Sequence, residues 1–139
     1  MVCLFVAACQ APHSAPPVTG AADRPQQIWN GQLARTPYHG KMLASDQDEW
    51  EALWRLTGVA SPRPLVEGDE IAIGIFLGVR QASGYVIEIR RLKRAGEDSD
   101  VIWTEDRVAV SEPLLPISSP WAIATFARGQ EEIRLKHGL

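Results

Sequence analysis

Residues 70–79, Glu-Ile-Ala-Ile-Gly-Ile-Phe-Leu-Gly-Val, constrain the fold more than any other stretch of the chain. In a strand, successive side chains point to opposite faces. Ile71, Ile73, Ile75, Leu77 and Val79 then share one face, and Ala72, Gly74, Phe76 and Gly78 share the other. Past the first residue neither face carries a charge, so the spacing predicts a central strand covered on both sides. The small residues at 72 and 74 mark the side on which a second element can approach closely.

Residues 45–57 read as the helix that covers that side. Ser45 is the predicted cap, with Asp48 in the capping-box position. Asp46, Asp48, Glu49 and Glu51 lie at the positive end of the helix dipole and Arg55 near the other end. Trp50, Leu53 and Trp54 fall at i, i+3 and i+4, a single apolar face suited to docking on a sheet. Gly58 follows, placed for a left-handed cap. Further strands are predicted at 84–92, 101–110, 121–128 and 131–137, with a weaker pattern at 28–33. In the first of these, Tyr85, Ile87 and Ile89 face the core while Val86, Glu88 and Arg90 face water; Trp103 reads as core in the second. Residues 111–120 hold Pro113, Pro116 and Pro120 and read as a loop. The expected architecture is mainly β within the α+β class: a small antiparallel β-sandwich or barrel with one amphipathic helix packed against it.

The N-terminal part has a different character. The run Leu4-Phe5-Val6-Ala7-Ala8-Cys9 resembles the lipobox of bacterial lipoproteins, in which the cysteine takes the lipid. Cys9 is therefore the expected attachment residue, with residues 1–9 as a signal remnant. No Lys or Arg precedes it, although a secretory signal carries a basic n-region, so the gene start is expected upstream. Residues 10–27 contain Pro12, Pro16, Pro17 and Pro25 among small residues, without apolar period. Such a segment is a tether, able to reach on the order of 50 Å if extended as polyproline II. Ala11 in place of Asp leaves out the inner-membrane retention signal of some Gram-negative lipoproteins. By that resemblance the expected location is the cell envelope, on the periplasmic face of the outer membrane. Residues 28–139 form the single folded domain.

Composition narrows the chemistry. The only cysteines, Cys3 and Cys9, are in the leader, so the folded part has no disulfide and no thiolate metal site. A net charge of −3 gives no basic face for nucleic acid. Arg90, Arg91, Lys93 and Arg94 cluster, but Glu97, Asp98 and Asp100 follow at once, which reads as a solvated strand end and turn. His13, His39 and His137 are far apart and show no metal-ligand spacing, and His39 sits in an expected loop, Pro37-Tyr38-His39-Gly40. An enzyme centred on His39 is the third-ranked possibility. No serine has a nucleophile-elbow setting, and no phosphate-loop spacing occurs. The expectation is a non-enzyme without cofactor or metal. Two spots stand out instead. One is Arg80-Gln81-Ala82-Ser83-Gly84-Tyr85, read as a hairpin tip with Gly84 where positive φ is needed. The other is Ser118-Ser119-Pro120-Trp121.

These residues also carry a resemblance. The order is Glu49-Trp50 with Leu53-Trp54, a prolyl loop, an apolar strand ending at Gly78, Ser83-Gly84-Tyr85 running into Val86-Ile87-Glu88-Ile89, and Ser119-Pro120-Trp121-Ala122-Ile123-Ala124. It resembles the C-terminal domain of the PrcB family, named for a subunit of a bacterial surface protease complex, over roughly residues 29–135. Members usually have Gly-Gly-Tyr where this chain has Ser83-Gly84-Tyr85, and often Tyr where it has Trp121. The resemblance implies a non-catalytic accessory lipoprotein that assists a partner protein, such as a surface protease. The candidate contact residues are Arg80, Ser83, Gly84, Tyr85, Pro120 and Trp121, with the membrane reached through the lipid on Cys9. The alternative expectation is a loop-wedge inhibitor of cysteine proteases. Some small β-sandwich inhibitors carry a Gly-aromatic loop and a Pro-Trp loop, to which Gly84-Tyr85 and Pro120-Trp121 are similar.

Overall fold

A computed structural model of the chain describes residues 24–36, 38–93, 99–107, 116–129 and 132–138. In chain order they form β1 (Gln27–Gly31), β2 (His39–Ala44), α1 (Gln47–Thr57), β3 (Glu70–Leu77), β4 (Tyr85–Lys93), β5 (Ser99–Arg107), β6 (Trp121–Ala127) and β7 (Ile133–His137). Cys9, residues 10–23 of the expected spacer, the expected turn at 94–98 and residues 108–115 lie outside the described residues. Strand β1 begins at Gln27, the residue at which the spacer was expected to end.

The strands make two sheets, ordered β1-β6-β3-β2 and β4-β5-β7. The result is a mostly β sandwich with one helix, and the sheets do not close into a barrel. All eight residues of β3 are buried, as its two apolar faces require. Ile71, Ile73, Ile75 and Leu77 meet Ile87, Ile89 and Val101 of the facing sheet, with Ala122, Ala124 and Phe126 of β6 beside them. Ala72 and Phe76 on the opposite face pack under Trp50, Leu53 and Trp54 of α1, with Trp121 and Ile123 of β6. The small-residue reading of that face holds at one atom: a Cβ on Gly74 would lie 2.6 Å from Leu53 Cδ2 and 3.0 Å from Phe76 Cε2. Trp29, Trp50, Trp54 and Trp121 interlock edge to face, with centroids 5.5–5.8 Å apart. This geometry suits the ring quadrupoles, and the tryptophan pair of α1 is core.

Several expectations are corrected. The helix cap is Asp46, not Ser45: Asp46 Oδ1 accepts from Glu49 N at 2.8 Å. Glu49, not Asp48, reaches back past the cap and accepts from Ser45 N at 2.7 Å. Gly58 does end the helix left-handed, at φ 80°. The segment 39–44, expected to open as a loop, is edge strand β2, with His39 paired to Leu77 and exposed. The last strand runs parallel to β5, not antiparallel. Trp103 is only half-buried and stacks on His137 at 4.0 Å. Arg91 is not solvated: it is buried, donates to Ala127 O and lies 5.3 Å over the Phe126 ring. Its guanidinium reaches from the smaller sheet to the end of β6, where an aromatic face and a carbonyl receive it.

One polar group anchors the start of β3. Glu70, 5 % exposed, accepts a bidentate pair from Arg63, with Nη2 to Oε2 at 3.0 Å, and a bond from Val66 N at 2.8 Å. Arg63 Nε reaches Gln27 Oε1 of β1 at 2.8 Å, and the guanidinium lies 5.7 Å over Trp29 and Trp50. The Arg63 bonds, with the Val66 amide, hold the Glu70 carboxyl below its ordinary value against the opposing effect of burial.

Gly74→Val is expected to lower stability by about 2 kcal/mol through overpacking against Leu53, seen as a reduced urea midpoint at unchanged slope. Because the folded-state pKa of Glu70 is depressed, its contribution is complete above the unfolded-state value. That contribution is lost as pH falls through the folded-state value. The urea midpoint should therefore decline below about pH 4.5. Glu70→Gln should flatten that decline while costing about 2 kcal/mol at pH 7.

Candidate functional site: three loops laced at one end of the sandwich

Strand pairing sets Gly31 opposite Trp121 and Trp121 opposite Phe76. The end of β1, the start of β6 and the end of β3 therefore lie side by side. The loops that leave them, at 32–34, 78–84 and 116–120, converge on that end of the sandwich. The segment 80–85 is not the hairpin tip that was expected. It carries the chain from β3 in one sheet to β4 in the other, so its two strands never pair. Both Gly78 and Gly84 take positive φ, 70° and 95°, which permits the sharp exits.

Hydrogen bonds join the three loops. Arg80 and Ser118 exchange backbone bonds of 2.7 and 2.9 Å. On the other side of the same segment, Ser119 N donates to Gln32 O at 2.8 Å and Ala34 N to Ser119 O at 2.9 Å. The two serine hydroxyls tighten this ladder: Ser118 Oγ donates to Ala82 O, and Ser119 Oγ donates to Ala34 O at 3.1 Å. Gln32 spans the crossover, its Nε2 donating to Tyr85 O at 2.7 Å and its Oε1 accepting from Gly84 N at 3.1 Å. The backbone of Arg80, Ser118, Ser119 and Ala34 is thus paired on both its N–H and its C=O, which ties the three loops together.

The two spots singled out in the sequence are brought together here, but their side chains divide. Pro120 is fully buried and Trp121 is 4 % exposed, its ring 5.8 Å from that of Trp54. Neither offers a side chain to a partner, because the start of β6 is wedged beneath the helix. Ser83 is also buried, while Arg80, Gly84 and Tyr85 are half-buried. Arg80 Nη2 pairs with Glu105 at 3.0 Å and its guanidinium lies 5.7 Å over the Tyr85 ring. The exposed surface comes from Leu33, Val79 and Ile117, at 59, 56 and 58 % exposed; Val79 was expected on a buried face of the central strand, but β3 ends two residues before it, at Leu77. The register sets Leu33 beside Ser119, and Val79 and Ile117 next to the Arg80–Ser118 bridge. Nothing in the local sequence marked them, since an apolar residue in a short loop reads equally as core.

His39 opens β2 and is exposed. Among the described residues no group of three His, Cys, Asp or Glu side chains is placed to hold a metal, and no helix is long and apolar enough to cross a membrane. No family model, curated protein or solved structure matches the chain.

Gln32→Ala removes both side-chain bonds across the crossover. It should lower stability by about 1 kcal/mol and speed amide hydrogen exchange at Gly84 while leaving exchange within β3 unchanged relative to global unfolding.

Proposed function

We propose that this chain is an exported, lipid-anchored module without catalytic activity that binds a partner protein through the loop end described above. The observation that supports this reading best is the trio Leu33, Val79 and Ile117, large apolar residues exposed on a scaffold of bonded backbone. Exposed apolar side chains gathered on a rigid frame lose little ordering entropy on docking and gain by burial. Arg80 and Tyr85 supply a polar and aromatic rim, a composition favoured at interfaces. In this reading a lipid on Cys9 and the proline-rich spacer hold the module at the periplasmic face of the outer membrane. The PrcB-like motifs point to a surface protease as the class of partner.

A second reading, the loop-wedge inhibitor of cysteine proteases, is favoured by one observation. The Gly84-Tyr85 crossover and the Ser118–Trp121 approach are adjacent and bonded, through Ser118 Oγ to Ala82 O, as a two-loop wedge requires. Purified full chain that leaves a papain-type protease uninhibited at micromolar concentration removes this reading.

The main proposal is tested on protein recovered from native membranes of cells carrying the complete gene. Mass spectrometry is expected to find acyl chains on Cys9, and a partner is expected to co-purify. The triple variant Leu33→Asp, Val79→Asp, Ile117→Asp should fold normally by circular dichroism and bind that partner at least about 100-fold more weakly. Undiminished binding by the triple variant removes the loop end as the interface.

A further inference from the structure

The two sheets are unequal, and the difference leaves a place for one more strand. The larger sheet has four strands and the smaller has three. At one side β7 lies across from β2, with Lys41 Nζ donating to Leu135 O at 2.9 Å. At the other, β4 lies across from β6, with Arg91 reaching Ala127 O and the Phe126 ring. Strand β1, beyond β6, therefore overhangs the edge of β4. Register puts Ile28 on the same face as Ala124 and Ile73, which point into the core between the sheets. Ile28 is nevertheless 41 % exposed, and Asn30, two residues on along that face, is exposed as well.

The strand beside this overhang, β4, is nine residues long, and among the described residues only β5 pairs with it. Gln32 Nε2 reaches Tyr85 O from the side away from β5. Alternation then turns the N–H and C=O of Ile87 and Ile89 to that same open edge. No described residue bonds to either of them there. Such an edge is a template for another strand. Its outward side chains run apolar, acid, base, apolar: Val86, Glu88, Arg90 and Leu92. Val86 is 42 % exposed, and Glu88 and Arg90, paired at 3.3 Å, are each more than half exposed. An ion pair of that kind contributes little and can exchange partners. With Ile102 and Thr104, the last three border a shallow hollow of about 150 Å³ on the outer face.

We propose that the β4 edge takes up one extended segment of a partner protein as a fourth strand. The segment runs antiparallel to β4 and carries the outward pattern apolar, acid, base, apolar in its own chain direction. Its acid then lies against Arg90, its base against Glu88, and its apolar ends against Leu92 and Val86. Opposite charges and apolar pairs are the favourable cross-strand neighbours. Its intervening residues bond to Ile87 and Ile89 and turn their side chains under Ile28, where β-branched types fit. Backbone bonds supply the affinity and the outward pattern supplies the selectivity. The overhang also selects the kind of occupant. A second folded copy, pairing through its own β4, would bring its larger sheet into the space that β1 holds, whereas a single strand fits beneath. This assignment is independent of the loop-end reading above.

The test titrates the peptide acetyl-Val-Thr-Glu-Val-Arg-Thr-Leu-amide into the full chain labelled with ¹⁵N. Binding is expected with a Kd on the order of 0.1 mM, with slowed amide exchange at Ile87 and Ile89. A peptide with proline at the central valine lacks the N–H opposite Ile89 and should bind at least about tenfold more weakly. A peptide with arginine in place of the glutamate sets like charges together at Arg90 and should bind at least about threefold more weakly. Arg90→Glu, at an exposed position, should reverse that preference in favour of the two-arginine peptide. Ile28→Ala should fold normally by circular dichroism and bind the first peptide at least about threefold more weakly. Absence of binding, full binding of the proline peptide, a charge preference unmoved by Arg90→Glu, or full binding by Ile28→Ala each overturns the assignment. So do Ile87 and Ile89 amides that are as protected without peptide as with it, the result expected if a second copy or another part of the chain already pairs with this edge.

Discussion

Strand β3 is buried on both faces, and most of the molecule is arranged around that fact. A strand with two apolar faces needs a layer on each side. One layer is the β4-β5-β7 sheet, which receives Ile71, Ile73, Ile75 and Leu77. The other is α1, which fits because Gly74 has no side chain and Leu53 occupies the space. The tryptophan cluster follows from the same closeness. Once α1 lies on the small-residue face, Trp50 and Trp54 meet Trp29 of β1 and Trp121 of β6 at the flank. Arg63 then closes the open side of that cluster by binding Glu70 at the entry to β3 and stacking over two of the rings.

The loop end inherits its rigidity from the same strand. Where β3 stops, at Leu77, its N–H still donates to Pro120 O at 3.0 Å. The Arg80–Ser118 bridge then extends the pairing into the crossover. The backbone is committed before any side chain of the loops is considered, so Leu33, Val79 and Ile117 are left outside.

Much of the fold was legible, and each legible feature was local. The alternation at 70–77 and at 85–89, the i, i+3, i+4 spacing of Trp50, Leu53 and Trp54, and the glycines at 58 and 84 appear as expected, whereas Val79, expected on a covered face, lies past the end of β3 and is exposed. Strand β2 was missed because Pro37 and Gly40 mimic a loop, whereas its pairing to β3 is set by a partner distant in sequence. The shift of the cap from Ser45 to Asp46 was within the reach of sequence patterns, since both residues suit the role. Of the candidate contact residues, Pro120 and Trp121 were chosen for their chemical type, and burial removes both. Arg91 was grouped with its charged neighbours, yet alternation along β4 turns it inward while Arg90 faces water.

Sequence alone determined which faces must be buried and where the chain can turn, because periodicity and glycine placement act within a few residues. It could not determine which sheet each strand joins. Segment 80–85 reads equally well as a hairpin or as a crossover, and β7 can pair either way. Tertiary structure decided those alternatives, since only the completed sandwich covers both faces of β3 at once. The same packing selected which loop residues stay exposed, a property of neighbours that no local pattern carries.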